Sequence, residues 1–171
     1  MAGVEIVPAR ADQRPALEAM FQLYVHDFSA FWAGRPDGEL EEDGRFGPYE
    51  HLGSYWREPD RRPLLIRAEG RLAGFALINA HSHMRRLVDH AVAEFFVVRK
   101  HRRAGVGAAA ARAIFSAQSG TWEAAVARAN TGALAFWREA IGGHPGLRDL
   151  EVFDRDDADW NGAVLRFEIR P

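Results

Sequence analysis

Apolar residues recur along this chain with two different periods. Leu17, Met20, Phe21, Tyr24 and Phe28 fall at i, i+3, i+4, i+7 and i+11, one stripe of an α-helix. Asp12 stands where it can cap that helix, and Pro15 lies in its first turn, where a missing N–H does no harm. Ahead of it, residues 4–7 read as a short strand ending at Pro8. From Leu64 the period shortens. Residues 64–68 and 72–79 read as two strands of a hairpin, with Gly70 supplying the positive φ of a tight turn. Residues 89–98 form a third run, rich in β-branched and aromatic side chains. Residues 108–118 are helical by propensity. A strand at 122–127 and a helix at 130–140 follow, with Leu134, Trp137 and Ile141 on one face of the helix. Strands at 147–153 and 163–169 close the chain, linked by the acidic residues 154–157.

Between the first helix and the hairpin the pattern breaks down. Residues 34–48 hold four glycines, two prolines and the acids Asp37, Glu39, Glu41, Glu42 and Asp43, with no periodic apolar face. This reads as a loop, with a second short helix over residues 49–56 before Pro59. The order β-α-α-β-β-β-α-β-α-β-β puts hairpins first and a strand–helix–strand crossover in the middle. It predicts an α/β (α+β) fold with a mixed sheet rather than a doubly wound parallel one.

Length, 171 residues, predicts a single domain over 1–171 with a core that needs no staples. The net charge of −2 argues against a nucleic-acid coat or a polybasic membrane binder, since both need a large field of one sign. The absence of cysteine removes disulfides, Cys-ligated zinc, iron–sulfur clusters and a cysteine nucleophile together. No charged start followed by an apolar run marks a signal peptide, and the longest nearly apolar stretch, 72–80, falls short of the roughly 20 residues that span a bilayer. A cytoplasmic location is expected, with neither nucleic acid nor membrane as partner.

The informative segment is 94–113, EFFVVRKHRRAGVGAAAARA. A strand feeds a basic turn, then Arg102-x-x-Gly105-x-Gly107, then a helix. Glycines let backbone approach a ligand closely, and the unpaired N–H groups of a helix start attract an anion. Arg99, Lys100, Arg102 and Arg103 add positive charge. A dinucleotide fingerprint also matches as letters from Gly105 to Ala110. However, a basic turn separates it from the strand and too few residues follow for the rest of that fold. A Walker loop lacks its Gly-Lys-Ser/Thr.

With Arg102-Arg103-Ala104-Gly105-Val106-Gly107 after the Glu94–Val98 strand, and Asn130-Thr131-Gly132-Ala133-Leu134-Ala135-Phe136-Trp137 further on, the chain resembles the GNAT (GCN5-related) N-acetyltransferases over nearly its full length. The resemblance implies a mixed, mostly antiparallel sheet of about seven strands, splayed between strands 4 and 5 and flanked by about four helices. Acetyl-CoA would lie in the opening as co-substrate. Its pantetheine would run along Phe96, Val97 and Val98, and its pyrophosphate would sit on the amides of Arg103, Ala104, Gly105, Val106, Gly107 and Ala108. Asn130 and Phe136 would flank it, although Phe136 reads equally as core. Direct transfer to a primary amine of a small molecule or peptide is implied, without an acyl-enzyme, together with a homodimer by analogy.

On that resemblance Glu94 is the candidate base, an ionisable group in an otherwise apolar strand; its other reading is a carboxylate paired with Arg85 or Arg86. A backbone N–H near Val97 would receive the oxyanion. Trp137 stands where relatives carry an acidic tyrosine, and indole gives up no useful proton. Tyr55 or Tyr24 could reach the site instead. The missing tyrosine also keeps a second reading open, a catalytically weak acyl-CoA-binding module. His81, His83 and His90 cluster near the expected acceptor mouth without a metal-binding pattern, and His83 or His90 is at most an auxiliary base. Asp27, Phe28, Phe31, Trp32 and the aromatics at 49, 55 and 56 suit a cationic acceptor, while the acids at 37–43 read first as a solvated loop and second as part of that acceptor site.

Overall fold

The computed structural model describes residues 3–171. Seven strands form one sheet in the order β1-β2-β3-β4-β5-β7-β6. They are β1 (Val4–Pro8), β2 (Arg62–Ala68), β3 (Arg71–Asn79), β4 (His90–Val97), β5 (Gly120–Ala127), β6 (Leu147–Asp156) and β7 (Asn161–Ile169). All neighbours pair antiparallel except β4 and β5, which run parallel around the crossover through α2 (Val106–Ser116). The last hairpin folds back so that β7, not β6, pairs with β5.

Alternation along β2 and β3 splits the core between two faces. Leu65, Phe75 and Leu77 pack with Leu17, Met20 and Phe21 of α1 (Arg14–Ser29). Leu64, Ala76 and Ile78 join Ile114 and Phe115 of α2 and Trp137 and Ile141 of α3 (Thr131–Gly142). Burial on both faces is why these central strands read as continuous apolar runs.

Some local expectations shift. Asp12 does not cap α1: it sits in a 3₁₀ turn, Ala11–Gln13, and accepts from Arg10 Nη2 at 2.8 Å. The segment before Pro59 is a 3₁₀ turn, Leu52–Trp56, rather than an α-helix, so three α-helices flank the sheet among the described residues. β6 runs on into the acidic link, because Asp154 to Asp156 pair with residues 161–163 of β7. No helix among the described residues is long and apolar enough to cross a membrane.

Two backbone approaches shape the centre of the sheet. A Cβ on Gly74 would lie 1.9 Å from the Phe96 carbonyl oxygen. Gly74→Ala must therefore push β3 and β4 apart, and a loss of about 2–3 kcal/mol is expected in urea unfolding. An unchanged midpoint would mean the strands do not approach this closely. The second feature is a register shift. Leu77 faces Glu94 while Ile78 faces Val92, so Ala93 is an extra residue in β4. This bulge falls where β4 leaves β5: their parallel pairing covers only His90, Ala91 and Val92. A bulge increases local twist, and beyond it the sheet opens.

Candidate active site

Past the bulge, one edge of β4 has no strand partner. Val98 donates its N–H to Ala73 O at 2.8 Å, so Val98 and Phe96 turn their backbone groups toward β3. By alternation, Phe95 and Val97 turn theirs into the opening. The Val97 carbonyl is already engaged, accepting from Arg102 Nε at 2.6 Å. The Val97 N–H shares that open edge. Phe96 and Val97 line the cleft, whereas Val98 does not.

The turn after β4 leaves several backbone N–H groups without partners, a geometry that suits an anion. Gly105 is the residue before α2, with φ +78°, a left-handed conformation that disfavours a side chain. The N–H groups of Val106, Gly107 and Ala108 open the helix and have no carbonyl one turn back. Ala109 is the first to donate, to Gly105 O at 3.0 Å. Gly107 lies against the Phe136 ring, where a Cβ would meet Cε2 at 3.3 Å. Arg103, with φ +59°, lines the cleft beside Gly105, Gly107 and Ala108.

The other arginines are not free. Asp27, on α1, pairs with Arg99 Nη2 at 2.7 Å and also with Arg102. Burial would push the Asp27 carboxyl up, but hydrogen bonds from Arg102 and Arg99 outweigh it and hold the group below the usual carboxylate range. The Arg102 guanidinium also stands 5.3 Å over the Phe96 ring. Arg102 thus braces the turn against the end of β4 rather than projecting as a spare charge.

Two cavities meet at the opening. One, of about 680 Å³, runs along Phe96 and Val97 to Arg103, Gly105 and Gly107. The other, of about 740 Å³, lies between α1, the 34–48 loop and the open ends of β4 and β5. Tyr24, Phe28, Phe95, Asn130 and Ala133 line both, so the two are continuous at that seam. Asn130 caps α3 by accepting from Ala133 N at 3.1 Å. Phe136 lines the first cavity and stacks on Phe95, with ring centroids 5.7 Å apart, so it serves core and cleft together.

Glu94 lines the second cavity. Tyr24 OH donates to its Oε2 at 2.5 Å, and Tyr49 lines the same cavity. Burial pushes its pKa up to about 7, against the pull of the two tyrosines. Burial and the adjacent carboxylate push the Tyr24 phenol well up, so it stays protonated at neutral pH. Neither arginine named as an alternative partner reaches Glu94: Arg85 pairs with Asp159, and Arg86 lies over Phe153. Tyr55 is buried, accepts from Asn79 Nδ2 at 3.2 Å and lines neither cavity. Of the two tyrosines proposed to reach the site, only Tyr24 does. Trp137 is 6% exposed, among Phe95, Phe115 and Phe136.

One carboxylate went unassigned in the sequence. Glu123, 1% exposed on β5, pairs with Arg166 at 2.5 Å and accepts from Ser82 Oγ at 2.8 Å and His83 N at 3.1 Å. It pins the β3–β4 connection and so fixes His83 on the cavity wall, where burial lowers the His83 pKa. Its signal was the same as that of Glu94, a lone acid in an apolar strand. His90 packs on Trp122 and lines neither large cavity. Among the described residues no group of three or more His, Asp or Glu could hold a metal ion.

A mixed sheet opened between its two parallel strands, with a glycine-flanked helix start beside the opening, is the framework of an acetyltransferase of the GNAT type. The model of the acetyltransferase (GNAT) family matches residues 17–142, and the chain belongs to that family. No curated protein sequence matches it. Among solved structures, an acetyltransferase from Thermus thermophilus superposes with a TM-score of 0.63 at 15% identity, over 96% of this chain and 95% of that one. YncA of Salmonella typhimurium, solved with its cofactor acetyl-CoA, gives 0.56 at 12% identity over 98% and 93%. PaiA N-acetyltransferase of Thermoplasma acidophilum, in complex with coenzyme A, gives 0.56 at 13% over 97% and 99%. At these identities the likeness is one of fold.

Proposed function

We propose that this protein transfers an acetyl group from acetyl-CoA directly to the primary amine of a small molecule or peptide. The observation that carries the reading is Glu94, a carboxyl with a pKa near 7 in the second, aromatic cavity, bonded to Tyr24 at the seam with the anion-ready cleft. The helix-start amides, with Arg103, suit a diphosphate. The open edge at Phe95 and Val97 suits an extended amide-bearing chain, as a sheet edge suits an added strand. YncA and PaiA, which were solved with acetyl-CoA and coenzyme A, lend support by fold.

In this reading the acceptor ammonium loses one proton to solvent as it binds, and Glu94 takes the second from the nitrogen during attack. The nitrogen–carbon bond forms as the carbon–sulfur bond of the thioester breaks, and the Val97 N–H donates to the carbonyl oxygen where charge develops. Tyr24 lines both cavities and stays protonated. It hands its proton to the departing sulfur and regains one from the Glu94 carboxyl, so the net movement is one proton from nitrogen to sulfur. This supplies from α1 the acid that Trp137 cannot supply from α3.

The reading is tested by titrating acetyl-CoA and then following CoA release over a panel of amines. Absence of acetyl-CoA binding would overturn it. Binding without turnover on any amine would instead favour an acyl-CoA-binding module, the reading that buried Trp137 favours. For Tyr24→Phe, a loss of one hydrogen bond to a charged group predicts kcat roughly 10- to 50-fold lower with acetyl-CoA affinity unchanged. Because the Tyr24 bond lowers the Glu94 pKa, the acid limb of the pH–rate profile should also move to higher pH. A wild-type profile in that variant would remove Tyr24 from the mechanism.

A further inference from the structure

The second cavity carries a pattern that selects among amines. Its walls are rings: Phe21, Phe28, Trp32, Phe46, Tyr49 and Trp160. Its charged lining residues are Asp37, Glu39 and Glu94, and no lysine or arginine lines it. His83, the remaining ionisable side chain of interest there, is biased toward neutrality by burial. The 34–48 loop forms part of this wall through fixed contacts. Gln22 on α1 accepts from Phe46 N at 2.8 Å and donates to Phe46 O at 3.1 Å. Gly38, with φ +76°, lies so close to the Trp32 ring that a Cβ there would meet Cε3 at 2.4 Å. Only the first two acids of the loop, Asp37 and Glu39, reach the cavity. Both are exposed, but Asp37 is engaged by Arg35 at 3.1 Å, so Glu39 is the rim carboxylate without an ion pair among the described residues.

We propose that the acceptor is a primary amine carried on an aromatic or similarly bulky apolar body and lacking any acid group. The proposal rests on the second cavity being the acceptor side of an acetyltransferase. Ring faces attract an ammonium group and gain from covering an apolar body. A carboxylate on the same body would lose its hydration against those rings, meet Glu39 and Asp37, and find no cation among the lining residues to pair with. A short polar amine would leave the walls wet and gain little from them.

The test measures binding, so it does not depend on turnover. Isothermal titration of the full chain, with and without CoA, is run with 2-phenylethylamine, L-phenylalanine, ethanolamine and 1,3-diaminopropane. 2-Phenylethylamine is expected to bind roughly tenfold or more tighter than each of the others. Glu39→Arg, a change at an exposed rim position, should narrow the gap between 2-phenylethylamine and L-phenylalanine by about fivefold or more. Trp32→Ala should weaken 2-phenylethylamine while leaving acetyl-CoA affinity unchanged. Equal or tighter binding of L-phenylalanine or ethanolamine overturns the proposal. So does tighter binding of the diamine, which would point to a second cation at the rim, and so does no amine binding at about 10 mM. The acetyl-CoA titration is read separately. Bound acetyl-CoA with a preference for an acid-bearing amine sinks this proposal alone, whereas no bound acetyl-CoA sinks the reading beneath it.

Discussion

Gly107→Glu is expected to abolish acetyl-CoA binding while leaving the protein folded. Gly107 is in the first turn of α2, and its φ is not in the left-handed range that excludes side chains. An acidic residue in a first turn agrees with the helix dipole, so the helix itself should tolerate it. The site should not. The new carboxylate would enter the cleft lined by Gly105, Gly107 and Ala108, where a diphosphate would otherwise meet the unpaired amides. A like charge at that point costs several kcal/mol, and affinity about 10²-fold weaker or worse is expected by calorimetry. Gly107→Ala is the control: a methyl at 3.3 Å from Phe136 asks that ring to shift by only a few tenths of an ångström, and affinity should fall far less. Wild-type affinity in the glutamate variant, with an unchanged melting temperature, would show that the anion site is elsewhere.

Glu94→Gln is expected to lower kcat/KM by about 10²- to 10⁴-fold, the usual range for a positioned general base. Glutamine keeps the shape and can still accept from Tyr24, so packing changes little. In the wild type, activity should rise with pH through about 7 as Glu94 loses its proton. The variant should lose that limb. A stability effect with a defined sign accompanies this. The folded pKa lies above the ordinary glutamate value of 4.5, so between the two the native state binds more protons than the unfolded chain. The Glu94 contribution is therefore fully present below about pH 4.5 and is lost as pH rises through about 7. Denaturant unfolding at pH 5 and pH 8 should show the glutamine variant gaining on wild type at the higher pH, by on the order of 2 kcal/mol. Equal turnover, or an intact pH limb in the variant, would leave Glu94 a structural acid.

Much of the frame was readable because it is written locally. The α1 stripe needs only the helix period, and the strands from 64 to 98 need only apolar runs between breakers. Glu94 stood out because an acid in an apolar strand is costly wherever the strand goes, and Glu123 carried the same mark. The Arg102–Gly107 turn was legible because close approach and a left-handed residue require glycine at fixed spacing. Asp12 and the 49–56 segment misled for the converse reason. A cap or a short helix is a weak preference, settled here by the Arg10 side chain and by a 3₁₀ turn that buries Leu52 and Tyr55.

The sequence by itself determined the seven strands and three α-helices to within a few residues, the glycine turn between β4 and α2, and the acids in β4 and β5 that break their apolar runs. These follow from periods and residue chemistry within a few positions of one another. The tertiary structure alone decided that Tyr24, 70 residues away, meets Glu94, that Asp27 takes up Arg99 and Arg102, and that a bulge at Ala93 opens the sheet where the two cavities join. It also decided that β7 rather than β6 lies beside β5. The reason is common to all four. Each depends on contacts between segments far apart in the chain, chosen by how whole faces pack, and no local pattern encodes which distant partner a face will meet.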